Sequence, residues 1–179
     1  MVTRRGFLKT TGAALLGALV GAIVASTVGE SLRSAAAAQE GVLKLESFDH
    51  IGFVVKDRDA VIELWSSLFG LGPWRTVEPA QGAMAKMAWV KVGSTQFELL
   101  EPRMEVKSHW SDHLEKHGDG IHHICVLSDT VEADVERLVA VEGAEVVVAS
   151  PGFAYVKTAG HGDFILEVLH TRSSALNSY

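Results

Sequence analysis

One short pattern occurs twice in this chain. Phe48 to Val55 reads FDHIGFVV, and Ile121 to Ser128 reads IHHICVLS. Both are runs of β-branched and apolar residues of strand length. Setting His50 against His123 also sets Ile51 against Ile124 and Phe53 against Val126. Each run is followed by an Asp (Asp57, Asp129) and then by a stretch of helical period. In the first stretch Val61, Leu64, Trp65 and Leu68 share a face; in the second Val131, Val135, Leu138 and Val139 do. Gly70 and Gly143 stand where C-terminal caps belong. A duplication of this kind constrains the fold strongly, because each copy must reach the same local structure and the copies must share a core.

Each half then returns to strands. The first half offers Trp74–Glu78, Ala83–Val92 and Thr95–Glu101, with a Gly93-Ser94 turn between the last two. The second offers Glu145–Ala149, Phe153–Thr158 and Asp163–His170, with a turn at Gly160-His161-Gly162. The expected fold class is α+β, two tandem βαβββ modules forming a cupped mixed sheet. Module one covers residues 46–104, a linker 105–119, and module two 120–171. The linker carries a short helix at about Ser108–His117.

The front of the chain is different in kind. Met1 to Lys9 reads MVTRRGFLK, Thr11 to Gly29 is uncharged and apolar, and Ser34 to Ala38 is rich in small residues. A basic start, an apolar middle and a small-residue end describe a bacterial export signal. The pair Arg4-Arg5 before Gly6-Phe7-Leu8-Lys9 resembles the twin-arginine type, which a receptor reads. Residues 1–38 are therefore expected to be cleaved, leaving a periplasmic or secreted protein. An uncleaved segment would be its one tie to a membrane.

This division explains the averages. The whole chain has 179 residues and a net charge of −6, with a mean hydropathy of +0.19. Removing residues 1–38 takes away four bases and one acid. That leaves 12 Lys+Arg against 21 Asp+Glu, a net charge of −9, with all eight His retained. Such an acidic domain is not built for nucleic acid, where clustered Lys and Arg must meet phosphate. The single Cys, Cys125, allows no internal disulfide and no all-Cys metal cage.

The repeat also places chemistry. Each module puts one His on its first strand and one Glu on its last: His50 and Glu98, then His123 and Glu167. Glu98 stands between Phe97 and Leu99, and Glu167 between Leu166 and Val168. A carboxylate in an apolar strand is costly to bury unless paired or bound to a cation. Imidazole with carboxylate suits Zn, Ni, Co, Mn or Fe. Strand alternation sends His122 to the face opposite His123.

FDHIGFVVKD, the Gly70 to Trp74 turn, FELLEP at Phe97 to Pro102, GIHHI at Gly120 to Ile124 and LEV at Leu166 to Val168 resemble the vicinal oxygen chelate superfamily. This superfamily takes in glyoxalases, methylmalonyl-CoA epimerases, extradiol dioxygenases and bleomycin-resistance proteins. The likeness is greatest to the epimerase and glyoxalase-like branch. It implies one divalent metal ion held by His50, Glu98, His123 and Glu167, and a small oxygen-chelating substrate. It implies lyase or isomerase chemistry through an enolate-like intermediate, with Glu167 or Glu98 as base, and a homodimer as a common assembly. Two other readings share the fold: a non-catalytic small-ligand-binding protein of the bleomycin-resistance kind, and an Fe(II) dioxygenase. One position departs from the epimerases. Their second acid, shortly after a Pro-x-Gln-Gly turn, falls at or near Ala85 here, after Pro79-Ala80-Gln81-Gly82.

Other residues have ordinary explanations. His109, His113 and His117 recur every four residues, a spacing that could bind a metal on an exposed helix. Trp65, Trp74, Trp89 and Trp110 are expected in the core or in a pocket wall. Arg75 and Lys91 could meet an anionic substrate, His161 could line the mouth of the cup, and Cys125 is expected near the face of His123.

Overall fold

The computed structural model describes Leu43 and residues 48–140, 144–158 and 164–174. All of these lie in one compact unit, Val42–Tyr179. Residues 1–38, Gly143, the 160–162 turn and His161 lie outside the described residues. No helix among the described residues is long and apolar enough to cross a membrane.

The strands are β1 (Phe48–Val54), β2 (Arg75–Val77), β3 (Ala85–Val92), β4 (Thr95–Pro102), β5 (Gly120–Ser128), β6 (Glu145–Ser150), β7 (Phe153–Lys157) and β8 (Ile165–His170). The helices are α1 (Arg58–Phe69), α2 (His109–His117) and α3 (Val131–Ala140), and a 3-10 turn spans Thr171–Ser173. The strands form a single sheet in the order β2-β3-β4-β1-β5-β8-β7-β6. This is the α+β fold expected from the duplication. β1 runs parallel to β4, and β5 runs parallel to β8. The two halves meet where β1 pairs antiparallel with β5, so the first strands of the repeat sit side by side at the centre.

Local chemistry sets the helix ends. Asp57 caps α1 by accepting from the Ala60 amide at 3.0 Å. Gly70, at φ 67, closes it by donating to the Ser66 carbonyl at 3.0 Å. That left-handed conformation is easy for Gly and strained for other residues. Ser108 and Ser111 form a capping box at the start of α2.

The sheet separates two kinds of packing. On one face Val61, Ile62 and Trp65 of α1 pack on Val55, Ala88 and Leu99. There α3 packs Val135 and Leu138 against Val126, Leu166 and Val168. The α1 stripe is rotated from its expected position. Leu64 and Leu68 are 51% and 63% exposed, and Ile62 takes their place. The apolar arc of this helix is wider than the strip the sheet covers. On the other face Trp110 and Leu114 of α2 meet Val54, Leu100 and Tyr155.

Candidate metal centre

Two registered rows across the middle of the sheet build the centre. In one row, Gly52 on β1 stands between Glu98 on β4 and His123 on β5. In the other, Cys125 on β5 stands between His50 on β1 and Glu167 on β8. The repeat relates these rows, since Gly52 and Cys125 each follow their His by two residues. In each row the middle residue is small, so the flanking side chains can lean over it. Gly52 shows how far: a Cβ there would sit 2.0 Å from Cε1 of the His123 ring.

The two rings meet each other and both carboxylates at their Nε2 atoms. Nε2 of His50 lies 3.0 Å from Nε2 of His123, 3.4 Å from Glu98 Oε2 and 3.0 Å from Glu167 Oε2. Nε2 of His123 lies 3.4 Å and 3.1 Å from the same two oxygens. None of the four residues is more than 6% exposed.

Burial on its own would depress the His50 pKa. The Glu98 charge and the bond to Asp49 outweigh it and hold His50 well above the ordinary value. Burial opposes protonation of His123 too, but Glu167 and Glu98 raise it. The carboxylates respond the other way. Burial would raise Glu98, yet His50 and His123 hold it well below the carboxylate range; the same rings depress Glu167. Each group thus favours its charged form, and that mutual support makes so dense a polar cluster tolerable.

The donor set fits a divalent ion. Two imidazole nitrogens with carboxylate oxygens suit Zn, Ni, Co, Mn or Fe. Bonds of about 2.0–2.2 Å to one ion place neighbouring donors about 2.8–3.6 Å apart, and the separations above are 3.0–3.4 Å. Oε2 of Glu167 is buried without a hydrogen bond, although two ring nitrogens stand 3.0 and 3.1 Å away. His50, Glu98 and His123 form a buried group able to hold a metal ion; Asp49, His50 and Cys125 form another around the same ring. Burial pushes the Cys125 thiol far above its usual value, so it keeps its proton.

Asp49, which the sequence did not single out, and His122, which it placed on the other face, hold the rings. Asp49 is fully buried. Its Oδ2 accepts from His50 Nδ1 at 2.8 Å and from Gln96 Nε2 at 3.0 Å, and its Oδ1 accepts from Ser174 Oγ. In the neutral ring that an ion would require, this bond keeps the proton on Nδ1 and leaves the Nε2 lone pair facing inward. At His123 the partner is His122, whose Nδ1 is 3.0 Å from His123 Nδ1. His122 is therefore not across the sheet as alternation predicts. The ladder slips between Gly52 and Phe53, so that His122 is an extra residue on β5. A second slip between Phe48 and His50 makes Asp49 the extra residue on β1. A bulge breaks the two-residue period and re-aims a side chain.

A cavity of about 650 Å³ opens onto Glu98 and Glu167, with Met87, Trp110, Phe153 and Tyr155 along its wall. That volume and apolar lining suit a small molecule. Burial and the two Glu charges raise the Tyr155 pKa well above its ordinary value, so its hydroxyl remains a neutral donor. The expected wall residue Trp110 is present, whereas Trp65 and Trp74 lie in the α1 packing. Arg75 stacks on the Trp89 ring at 4.8 Å. The three His of α2 do not act as one surface stripe. His109 turns inward to His122, with Nδ1 and Nε2 3.2 Å apart, and burial lowers its pKa to about 4. His113 and His117 face each other with ring centroids 5.0 Å apart.

Gly52→Ala should displace the His123 ring without removing a donor. Overpacking of this kind costs about 1–3 kcal/mol, read as a lowered urea midpoint. Metal affinity should fall with it. An unchanged midpoint with unchanged affinity would contradict the close approach of β1 to that ring.

Residues 49–162 match the family described as the glyoxalase/bleomycin resistance protein/dioxygenase superfamily. A Streptomyces coelicolor methylmalonyl-CoA epimerase variant, in complex with 2-nitronate-propionyl-CoA, is 26% identical. It superposes with a TM-score of 0.57, over 73% of this chain and 100% of that chain. A hypothetical protein from Bacillus halodurans is 23% identical, with a TM-score of 0.57 over 72% of this chain and 96% of its own. The methylmalonyl-CoA epimerase from Mycobacterium tuberculosis is 18% identical, with a TM-score of 0.58 over 79% and 98%. The last two are likenesses of fold alone. No curated protein matches the chain significantly.

Proposed function

Because this chain belongs to the glyoxalase/bleomycin resistance protein/dioxygenase superfamily, we propose that it is an exported, metal-dependent lyase or isomerase for a small substrate with two adjacent oxygens. The observation that carries this reading is that the Nε2 atoms of both imidazoles lie within 3.0–3.4 Å of each other and of an oxygen of each carboxylate. His50, Glu98, His123 and Glu167 are the residues that would hold the ion. A divalent ion bound there supplies Lewis-acid stabilisation of negative charge developing on the substrate.

The chain's own groups do the rest. Glu167, whose buried Oε2 stands 3.0 and 3.1 Å from the two Nε2 atoms, takes a proton from the carbon beside the substrate's paired oxygens and leaves an enolate-like anion. Returning that proton completes an isomerisation; expelling a neighbouring group completes a lyase reaction. Glu98 faces the same point from β4 and is the alternative base. Tyr155 offers a neutral hydroxyl from the cavity wall. Four donors favour proton transfer over the two-His, one-carboxylate arrangement used for oxygen activation. The complete set also favours catalysis over sequestration of a ligand.

Two observations bear on the substrate. Ala85 is 5% exposed and packs with Val54 and Leu100, so that position supplies no second acid for a two-base epimerisation. The residue pattern of 1–38 supports export by the twin-arginine route and a periplasmic or secreted location. Acyl-CoA thioesters are cytoplasmic, so the substrate we favour is a different small molecule, such as a 2-hydroxyketone.

The test uses protein recovered after export from a twin-arginine-competent host. Elemental analysis should give close to one equivalent of a divalent ion, and mass spectrometry a start after Ala38. In deuterated water, 2-hydroxyketones should exchange the proton beside the carbonyl in a metal-dependent way, followed by NMR. Less than about 0.2 equivalents of any divalent ion, with the fold intact, overturns the reading.

A further inference from the structure

The two rings at the centre are oriented by unlike devices in the same place. Asp49 precedes His50, and His122 precedes His123. Both are the extra residue of a bulge in the β1–β5 ladder. Both reach the Nδ1 of the ring that follows, Asp49 at 2.8 Å and His122 at 3.0 Å. Asp49 is an acceptor by nature, so His50 Nδ1 must donate to it. His122 is not, because a neutral imidazole accepts at one nitrogen and donates at the other, and either choice is open to it.

The ligand reading settles that choice: an ion on His123 Nε2 requires the ring proton on Nδ1, so His122 accepts at Nδ1 and donates from Nε2. Nε2 of His122 lies 3.2 Å from Nδ1 of His109. His109 is held in turn between Trp110 and Tyr155, with ring centroids 4.7 Å away on both sides. His113 closes on His122 from the next turn of α2, at 5.2 Å between centroids.

We propose that His122 and His109 are positioning residues for His123. Together they form a one-way imidazole chain: His123 Nδ1–H donates to His122 Nδ1, and His122 Nε2–H donates to His109 Nδ1. The chain leaves the lone pair of His123 Nε2 facing Glu98 and Glu167. It does for module two what one carboxylate does for module one, and it ties the orientation of a buried ring on β5 to the seat of the linker helix. The proposal rests on the reading of His50, Glu98, His123 and Glu167 as metal ligands.

The test is Zn²⁺ affinity by chelator competition, joined to ¹⁵N NMR of the imidazoles. His122→Phe keeps a planar ring but has no acceptor, and affinity should fall by about 10–100-fold. The His123 nitrogen shifts should then report a mixture of tautomers in place of one. His122→Asp supplies the acceptor that module one already uses at this position, and should restore both affinity and the single tautomer. His109→Phe should give the mixture with a smaller loss of affinity, and it covers the case in which His122→Phe fails to fold. Unchanged affinity and an unchanged tautomer in both Phe variants would overturn the proposal. If Zn²⁺ binding were also indifferent to His123→Ala, the ligand reading itself would fall.

Discussion

The His123→Ala protein should keep no more than about one hundredth of the wild-type metal affinity, and with it should lose its metal-dependent activity. Removing a group that only orients a ligand already costs 10–100-fold, and here a donor itself goes. His123 is 1% exposed and stands within 3.4 Å of both carboxylates and of His50. Its loss leaves Glu98 and Glu167 buried with half of their compensation, an arrangement that destabilises a fold when one partner of a buried pair is deleted. Circular dichroism and a urea titration on the same sample separate loss of fold from loss of metal. A folded variant with near-native metal content would remove His123 from the centre.

Glu167→Gln should act on the reaction more than on the metal. The amide keeps an oxygen where the carboxylate oxygen stood, but it cannot take a proton. Loss of a general base slows a reaction by about 10²–10⁴-fold, and the loss should appear in kcat rather than KM. Glu98→Gln is the control, because Glu98 Oε2 stands 3.4 Å from both rings, farther than the 3.0 and 3.1 Å of Glu167. If Glu98→Gln abolishes proton exchange while Glu167→Gln spares it, the two roles are reversed. Metal content measured alongside shows whether either substitution works by emptying the centre.

The duplication made the two βαβββ modules and the matching His and Glu positions legible, because two copies of one pattern place equivalent residues on equivalent strands. Alternation failed at His122, and it gives no hint of the part that Asp49 plays. Both are extra residues in the β1–β5 ladder, and nothing in FDHI or GIHHI distinguishes a regular strand from a bulged one. The role of Gly52 was hidden for a related reason. Its importance lies in the side chain it lacks, and only the position of the His123 ring shows that the space is used. The exposed Leu64 and Leu68 mark a third limit, since helical periodicity gives the direction of an apolar stripe but not the width of the surface that covers it.

The seam has a consequence for how the molecule is made. A nascent chain emerges from its N-terminal end, so His50 and Glu98 are exposed to the cell long before their partners exist. The strand they need, β5, begins only at Gly120, and Glu167 comes near the end of β8. Ser174, which holds Asp49, comes later still. A ribosome-bound fragment that ends before β8 can offer an ion at most three of the four side chains. Under the proposed ligand set, a fragment that ends before β8 lacks Glu167, and the four-donor centre forms only once the whole domain has been made.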